Sequence, residues 1–146
     1  MIDIRVSGEV LQAGVEIDRL AAAGVGGIAS FIGVVRGDGG LTSLTLDHYP
    51  AMTEKALRAL AETALARWDL TGVTIVHRVG MMVPGDRIVF AGTASAHRAA
   101  ALESCAFLID RLKTEAPFWK RETFADGRSL WVEARAADDA AATRWG

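Results

Sequence analysis

Residues 73–124 read VTIVHRVGMMVPGDRIVFAGTASAHRAAALESCAFLIDRLKTEAPFWKRETF, and the order of patterns within them decides the fold class. VTIVHRV (73–79) and RIVFAGTAS (87–95) are apolar, β-branched runs of strand length, with the turn-forming Pro84-Gly85-Asp86 between them. A helical pattern over roughly 97–115 follows, with an apolar stripe of Leu102, Cys105, Ile109 and Leu112, and Pro117 marks its end. WKRETF (119–124) then reads as a strand again. Strand, turn, strand, helix, strand is the grammar of an α+β domain rather than a repeating βαβ chain.

Outward from this segment the pattern continues. Toward the C-terminus, LWVEA (130–134) is joined to 119–124 across the turn residues Asp126-Gly127, a hairpin connection. Toward the N-terminus, Met52, Leu57, Leu60, Ala64, Leu65 and Trp68 recur at helical spacing between Thr53 and Trp68, set off by Pro50. LTSLTLDHY (41–49) alternates as a strand and is expected to pair as a hairpin with IASFIGVVR (28–36) across Gly37–Gly40. IDIRV (2–6) is a first strand, and VEIDRLAAA (15–23) a short helix closed by Gly24. The expectation is one α+β domain over 1–146 with a mixed, hairpin-rich sheet and two main helices. The tail after about 136 is weakly patterned.

Composition narrows the function classes. The 146 residues carry a net charge of −2, with 51% hydrophobic and 23% charged residues. That lacks the basic excess of a general nucleic-acid binder. No apolar run approaches the ~18 residues of a membrane span, and the opening MIDIRVSGEV is not a secretory signal. Cys105 is the sole cysteine, so no internal disulfide forms, which suits a reducing, cytoplasmic setting. His48, His77 and His97 lack metal-ligand spacing, and no HExxH, CxxC or phosphate-loop motif occurs, so neither metal nor cofactor is expected. Cys105, on an apolar stripe, reads as a structural thiol. His48 and His77, in strand-like runs, read as structural histidines, and Met81-Met82 as core packing.

Basic side chains gather at element ends, where ligands usually meet a scaffold. Arg36 closes FIGVVR, and His97-Arg98 open a helix, whose exposed N–H groups and dipole favour an anion. Lys113 lies in that helix's last turn, and Lys120-Arg121 follow Pro117. Each, taken singly, is also compatible with a solvated charge or an ion pair. Thirteen of the 16 basic residues are Arg; only Lys55, Lys113 and Lys120 are Lys. A lysine amine can lose its proton when desolvated and a guanidinium cannot, so the two lysines flanking TEAPFW, with Phe118 and Trp119 beside them, are candidates for acid–base or nucleophilic work.

FIGVVRG, LTLDHYPAMTE, HRVGMMVPGD, ASAHRAA and LKTEAPFWKRE occur in the order seen in the large, catalytic subunit of molybdopterin synthase, and the chain resembles that family over about residues 3–135. The resemblance implies an α+β fold with an α/β-hammerhead element. It implies a homodimer at the centre of a heterotetramer, with a ubiquitin-like small subunit at each end whose C-terminal Gly-Gly thiocarboxylate enters the pocket. The substrate it implies is cyclic pyranopterin monophosphate, converted by two sulfur transfers to the dithiolene of molybdopterin. Carried over by motif, Arg36, His97 and Arg98 resemble phosphate and pterin contacts, and Val34 and Val35 the adjacent strand wall. Lys113 resembles the lysine nearest the partner's terminal glycine, and Lys120, with Arg121 and Glu122, the second catalytic and binding group. Arg135, in WVEAR, is placed at the pocket across the dimer. Ala51 and Val34 depart from the family pattern, Val34 removing a charge that some members carry. Two rivals remain at this level: a binding module with the same pocket and no chemistry, and a phosphate-ester or acyl-transfer enzyme independent of any thiocarboxylate.

Overall fold

The computed structural model describes residues 1–132, 143 and 145. Two four-stranded sheets divide the strands. The first has the order β1 (Ile2–Ser7), β4 (Gly72–Arg78), β6 (Arg87–Ser95), β2 (Gly27–Val34); the second has β5 (Gly80–Met82), β3 (Leu41–His48), β7 (Phe118–Phe124), β8 (Ser129–Val132). Among the described strands only β1 and β4 run parallel. The α+β class is as expected, and β7–β8 is the hairpin read from Asp126-Gly127.

Helices α2 (Pro50–Arg67) and α3 (Arg98–Glu115) cover one face of the first sheet. Their Leu57, Leu60, Ala61, Ala64, Phe107, Leu108 and Leu112 pack on Ile4, Val73, Ile75 and Val89. Helix α1 (Ala13–Leu20) covers the other face, where Leu11, Ala13 and Leu20 meet Val76, Phe90 and Ala94. Two buried hydroxyls set the start of α3: Thr93 Oγ1 on β6 and Ser104 Oγ on α3 both donate to the Ala101 carbonyl, at 2.7 and 3.2 Å. A carbonyl accepts two bonds, so both buried donors are satisfied and the helix is tied to its strand. Just before β2, a β-carbon on Gly26 would collide with the Ala96 carbonyl oxygen. Only glycine lets β2 pass this close to the head of α3.

Four details differ from the sequence reading. β3 does not form a hairpin with β2. The ladder of β2 shifts register at Gly33/Val34, Val35 bonds to Asp86 and Gly85 instead, and Gly39 and Gly40 at φ 65 and 84 turn the chain into the second sheet. There β3 pairs with β5 and β7. β5, three residues long, is too short to show a period. The buried face of α3 holds Ala101, Ser104, Cys105, Phe107, Leu108 and Leu112, whereas Leu102 is 61% exposed. Helix α1 ends at Leu20, before the three alanines, because Leu20 is pinned in the core and Ala21 is already extended.

Phe107 is fully buried, against Trp68 at 5.2 Å and beneath the guanidinium groups of Arg67 and Arg111 at 5.2 and 5.3 Å. Phe107→Ala should lower stability by about 3–5 kcal/mol. A urea midpoint within error of wild type would contradict this packing.

Candidate functional site

A cavity of about 440 Å³ opens where the end of β2, strands β3 and β7, and the last turn of α3 converge. Strand alternation selects what faces it. On β7, Phe118, Lys120 and Glu122 point inward; Trp119 and Arg121 take the opposite face. Trp119 packs there against Tyr49, edge to face at 4.8 Å, so of the two aromatics expected beside the lysines only Phe118 reaches the cavity. Leu44 and Leu46 of β3, with Val35, form its apolar floor.

The structure brings together Val34, Val35, Arg36, Lys113, Lys120 and Glu122. Arg36 pairs with Asp38 at 3.2 Å, but both are about three-quarters exposed (73% and 74%), so the pair is weak and Arg36 is available to a bound anion. Three cations thus face the two carboxylates Asp38 and Glu122.

It does not bring His97, Arg98 or Arg121 to the cavity of the same chain. His97 caps the N-terminus of α3 and Arg98 is its first residue, while Lys113 is in its last turn. Lys113 stands fifteen residues along the helix from Arg98, about 22 Å along the axis. The same gap recurs along β2, whose Gly27 abuts Arg98 while Arg36 lies beyond its other end, about 25 Å away. Arg135 lies outside the described residues.

The sequence reading took His77 for a structural histidine and did not place it at the cavity. It is 5% exposed on β4, lines the cavity, and stacks on Phe118 with ring centroids 4.1 Å apart. Desolvation lowers its pKa to about 4, helped by the positive fields of Lys113 and Lys120 and by His48, against a raising hydrogen bond to the Arg78 carbonyl. The signal was a histidine inside an otherwise apolar strand. His48 points its Nδ1 toward Thr53 Oγ1 at 3.3 Å, a structural contact. Cys105 is buried, contacts the Ala91 carbonyl at 3.6 Å, and burial pushes its thiol up to about 11, disfavouring a thiolate. Met82 is core, as read, but Met81 is 68% exposed. Among the described residues no group of three or more His, Cys, Asp or Glu is gathered to hold a metal ion. No described helix is long and apolar enough to cross a membrane.

A family model described as "MoaE protein" matches residues 6–115. The molybdopterin synthase catalytic subunit of Pseudomonas aeruginosa is 48% identical over 147 residues, covering 97% of each chain. That of Ralstonia nicotianae is 47% identical over 151 residues, covering 100% of this chain and 85% of its own. Among solved structures, the molybdopterin biosynthesis MoaE protein of Burkholderia ambifaria superposes with a TM-score of 0.86 at 47% identity, covering 100% of this chain and 99% of the other.

The buried imidazole makes stability pH-dependent. Unfolded, it takes a proton near pH 6.5; folded, it stays neutral down to about 4. Between these values the unfolded chain binds more protons. The stability contributed is therefore complete above about 6.5 and is lost as the pH falls, by on the order of 3 kcal/mol. Urea midpoints at pH 7 and 4.5 should separate more for wild type than for His77→Gln. Equal separations would count against a neutral, buried His77.

Proposed function

The chain belongs to the MoaE family of molybdopterin synthase catalytic subunits, enzymes of molybdenum-cofactor biosynthesis, and from that premise we propose that its 440 Å³ cavity is where sulfur passes to a pterin phosphate. The observation that carries this reading is the joint presence of Arg36, Lys113 and Lys120 on one cavity, reached from the segment after β2, from α3 and from β7. Arg36 offers a planar, bidentate clamp for a phosphate. Lys113, exposed at the rim, meets the thiocarboxylate terminus of a ubiquitin-like small subunit. Its charge orients the sulfur for attack on the substrate carbon. Lys120, deeper and half-buried, stabilises the negative charge that develops or moves a proton. Glu122 faces the same space and completes the polar wall. The sulfur arrives on the partner, which fits a lone cysteine buried away from the cavity.

The site as carried over by motif needs His97 and Arg98, and these stand a helix length from Lys113. A second copy related by a two-fold axis would supply them, so that each pocket of a homodimer takes Arg36, Lys113 and Lys120 from one chain and His97 and Arg98 from the other. With a small subunit on each copy, this is a heterotetramer. The reaction belongs in the reducing cytoplasm, where a thiocarboxylate and a free thiol persist.

The purified chain, mixed with a thiocarboxylated small subunit and cyclic pyranopterin monophosphate, should form molybdopterin, followed as its oxidised fluorescent derivative. Lys113→Ala should abolish product without loss of fold. Near-normal product from that variant would remove Lys113 from the chemistry, and no product from a folded wild-type complex would leave the pocket a binding site only. The two-copy arrangement has its own check. Lys113→Ala and Arg98→Ala proteins, each inactive alone, should regain about a quarter of wild-type activity when refolded together at equal amounts, because half the dimers are mixed and each has one intact pocket. No recovery would mean that each site is built from a single chain.

A further inference from the structure

His77 is a buried titratable group to which the reading above gives no task. It belongs to β4, beneath the cavity that Arg36, Lys113 and Lys120 surround. Two contacts fix its ring. Nδ1 lies 2.9 Å from the Arg78 carbonyl oxygen, which can only accept, so Nδ1 carries the proton and Nε2 is a bare acceptor. Phe118 lies against the ring at an interplanar angle of 31°, and His48 packs near Phe118, their centroids 6.0 Å apart. The imidazole is wedged between elements with one uncommitted polar atom.

Lys113 has the complementary deficiency. It is exposed on the last turn of α3 and makes no ion pair or side-chain hydrogen bond among the described residues. A four-carbon stem bearing a free ammonium samples many rotamers, and a group acting on a reacting atom must be held in one. A carboxylate partner would localise the ammonium but cancel the charge that an anionic substrate and a thiocarboxylate require. A neutral acceptor localises it and leaves the charge intact.

We infer that His77 is a positioning residue of this pocket, its Nε2 accepting a hydrogen bond from the Lys113 ammonium as that side chain folds in over a bound anion; the inference rests on the sulfur-transfer reading of the site. The groups around the ring favour this. Lys113 approaches from α3, and Lys120 and Glu122 from β7. His48 lies on β3, and Arg36 and Asp38 follow β2 as a mutual ion pair at 3.2 Å. Of the two lysines, Lys113 exerts the larger field on the ring, and burial with these charges keeps the imidazole neutral down to about pH 4. Across the range in which an enzyme of this kind works, His77 is therefore an acceptor and not a competing cation.

The test has two arms. In the first, the full chain with ¹⁵N-labelled histidine is examined by NMR at pH 6–8 in inorganic phosphate, as wild type and as Lys113→Ala. His77 should show a protonated Nδ1 and a bare Nε2, and the Nε2 resonance should move when the lysine is removed. An Nε2–H tautomer, or an Nε2 resonance indifferent to Lys113→Ala, overturns the inference. In the second arm, turnover is measured with the small subunit. His77→Phe keeps the stacking on Phe118 and removes the acceptor; it should lower kcat by about tenfold or more with KM within about twofold, and His77→Gln, which restores an acceptor, should recover part of the loss. Wild-type kcat and pH profile in a folded His77→Phe protein also overturn it. The NMR arm needs no turnover, so a wild-type complex that forms no product defeats the sulfur-transfer reading alone and leaves His77 to be judged on its resonances.

Discussion

Everything in this structure depends on burying β6 from both sides. From Val89 to Ser95 the strand is excluded from water, paired with β4 and β2 at its edges, covered by α3 on one face and α1 on the other. Two helices can close on one strand only if it carries little bulk between them. Ala91, Gly92 and Ala94 meet that condition, and a β-carbon on Gly92 would come within 2.7 Å of Leu20 and 2.8 Å of Phe90. The polar atoms that remain are satisfied locally: Thr93 bonds the Ala101 carbonyl at 2.7 Å, and Ser95 the Asp69 carbonyl at 2.7 Å. A buried hydroxyl left unpaired would cost about 1–3 kcal/mol, so these bonds fix orientation as well as stability. They set the line of α3, and that line decides where Lys113 stands.

The cavity follows from how the chain leaves this first sheet. β2 ends at Val34, and the glycines of 37–40 swing the chain into the second sheet, whose inner face supplies Leu44, Leu46, Lys120 and Glu122. A hairpin between β2 and β3 would have closed the gap that becomes the pocket. The departure from that pairing therefore creates a wall of one sheet facing the end of the other, with the helix terminus above both. Of the cations placed there, Lys120 is half-buried beside the apolar floor, where charges are less screened than at the exposed Arg36 and Lys113.

Much of this was legible in the residues. The strand–turn–strand–helix–strand order of 73–124 gave the class, because turn residues and changes of period are local signals. The element ends bearing Arg36, Lys113 and Lys120 were legible for the same reason. What the sequence could not show was long-range: which strands pair, and which side of β7 each residue takes relative to the cavity. Trp119 and Lys120 are neighbours in the chain and face opposite ways, so the apolar bulk expected beside the lysine comes from Phe118 alone. Leu102 looked like core by spacing, yet α3 turns its alanine and serine side to β6, because the close approach of that strand admits only small residues. The place of His77 was illegible for a related reason: its apolar neighbours mark it as buried, but that it lines the cavity together with two lysines only the fold shows.

Arg98 and Lys113 are opposite ends of one rigid helix, and Gly27 and Arg36 bracket one paired strand, so no side-chain motion can join them within a chain. If both ends serve one ligand, the two ends must come from two copies. An isologous contact does this at least expense, since the surface that brings His97 and Arg98 to a neighbour brings the neighbour's to the first chain, and two equal pockets result. The outer edge of β2 has no strand beside it among the described residues, and Phe31 and Val34 on it are 40% and 50% exposed. Two such strands meeting antiparallel would lay the Gly27 end of each beside the Arg36 end of the other. Lysine use agrees with a pocket assembled in this way. Lys55 is exposed on α2, away from the cavity, whereas the other two lysines of an arginine-rich chain line it, where the proposed reaction would use a compact, orientable ammonium better than a guanidinium fork.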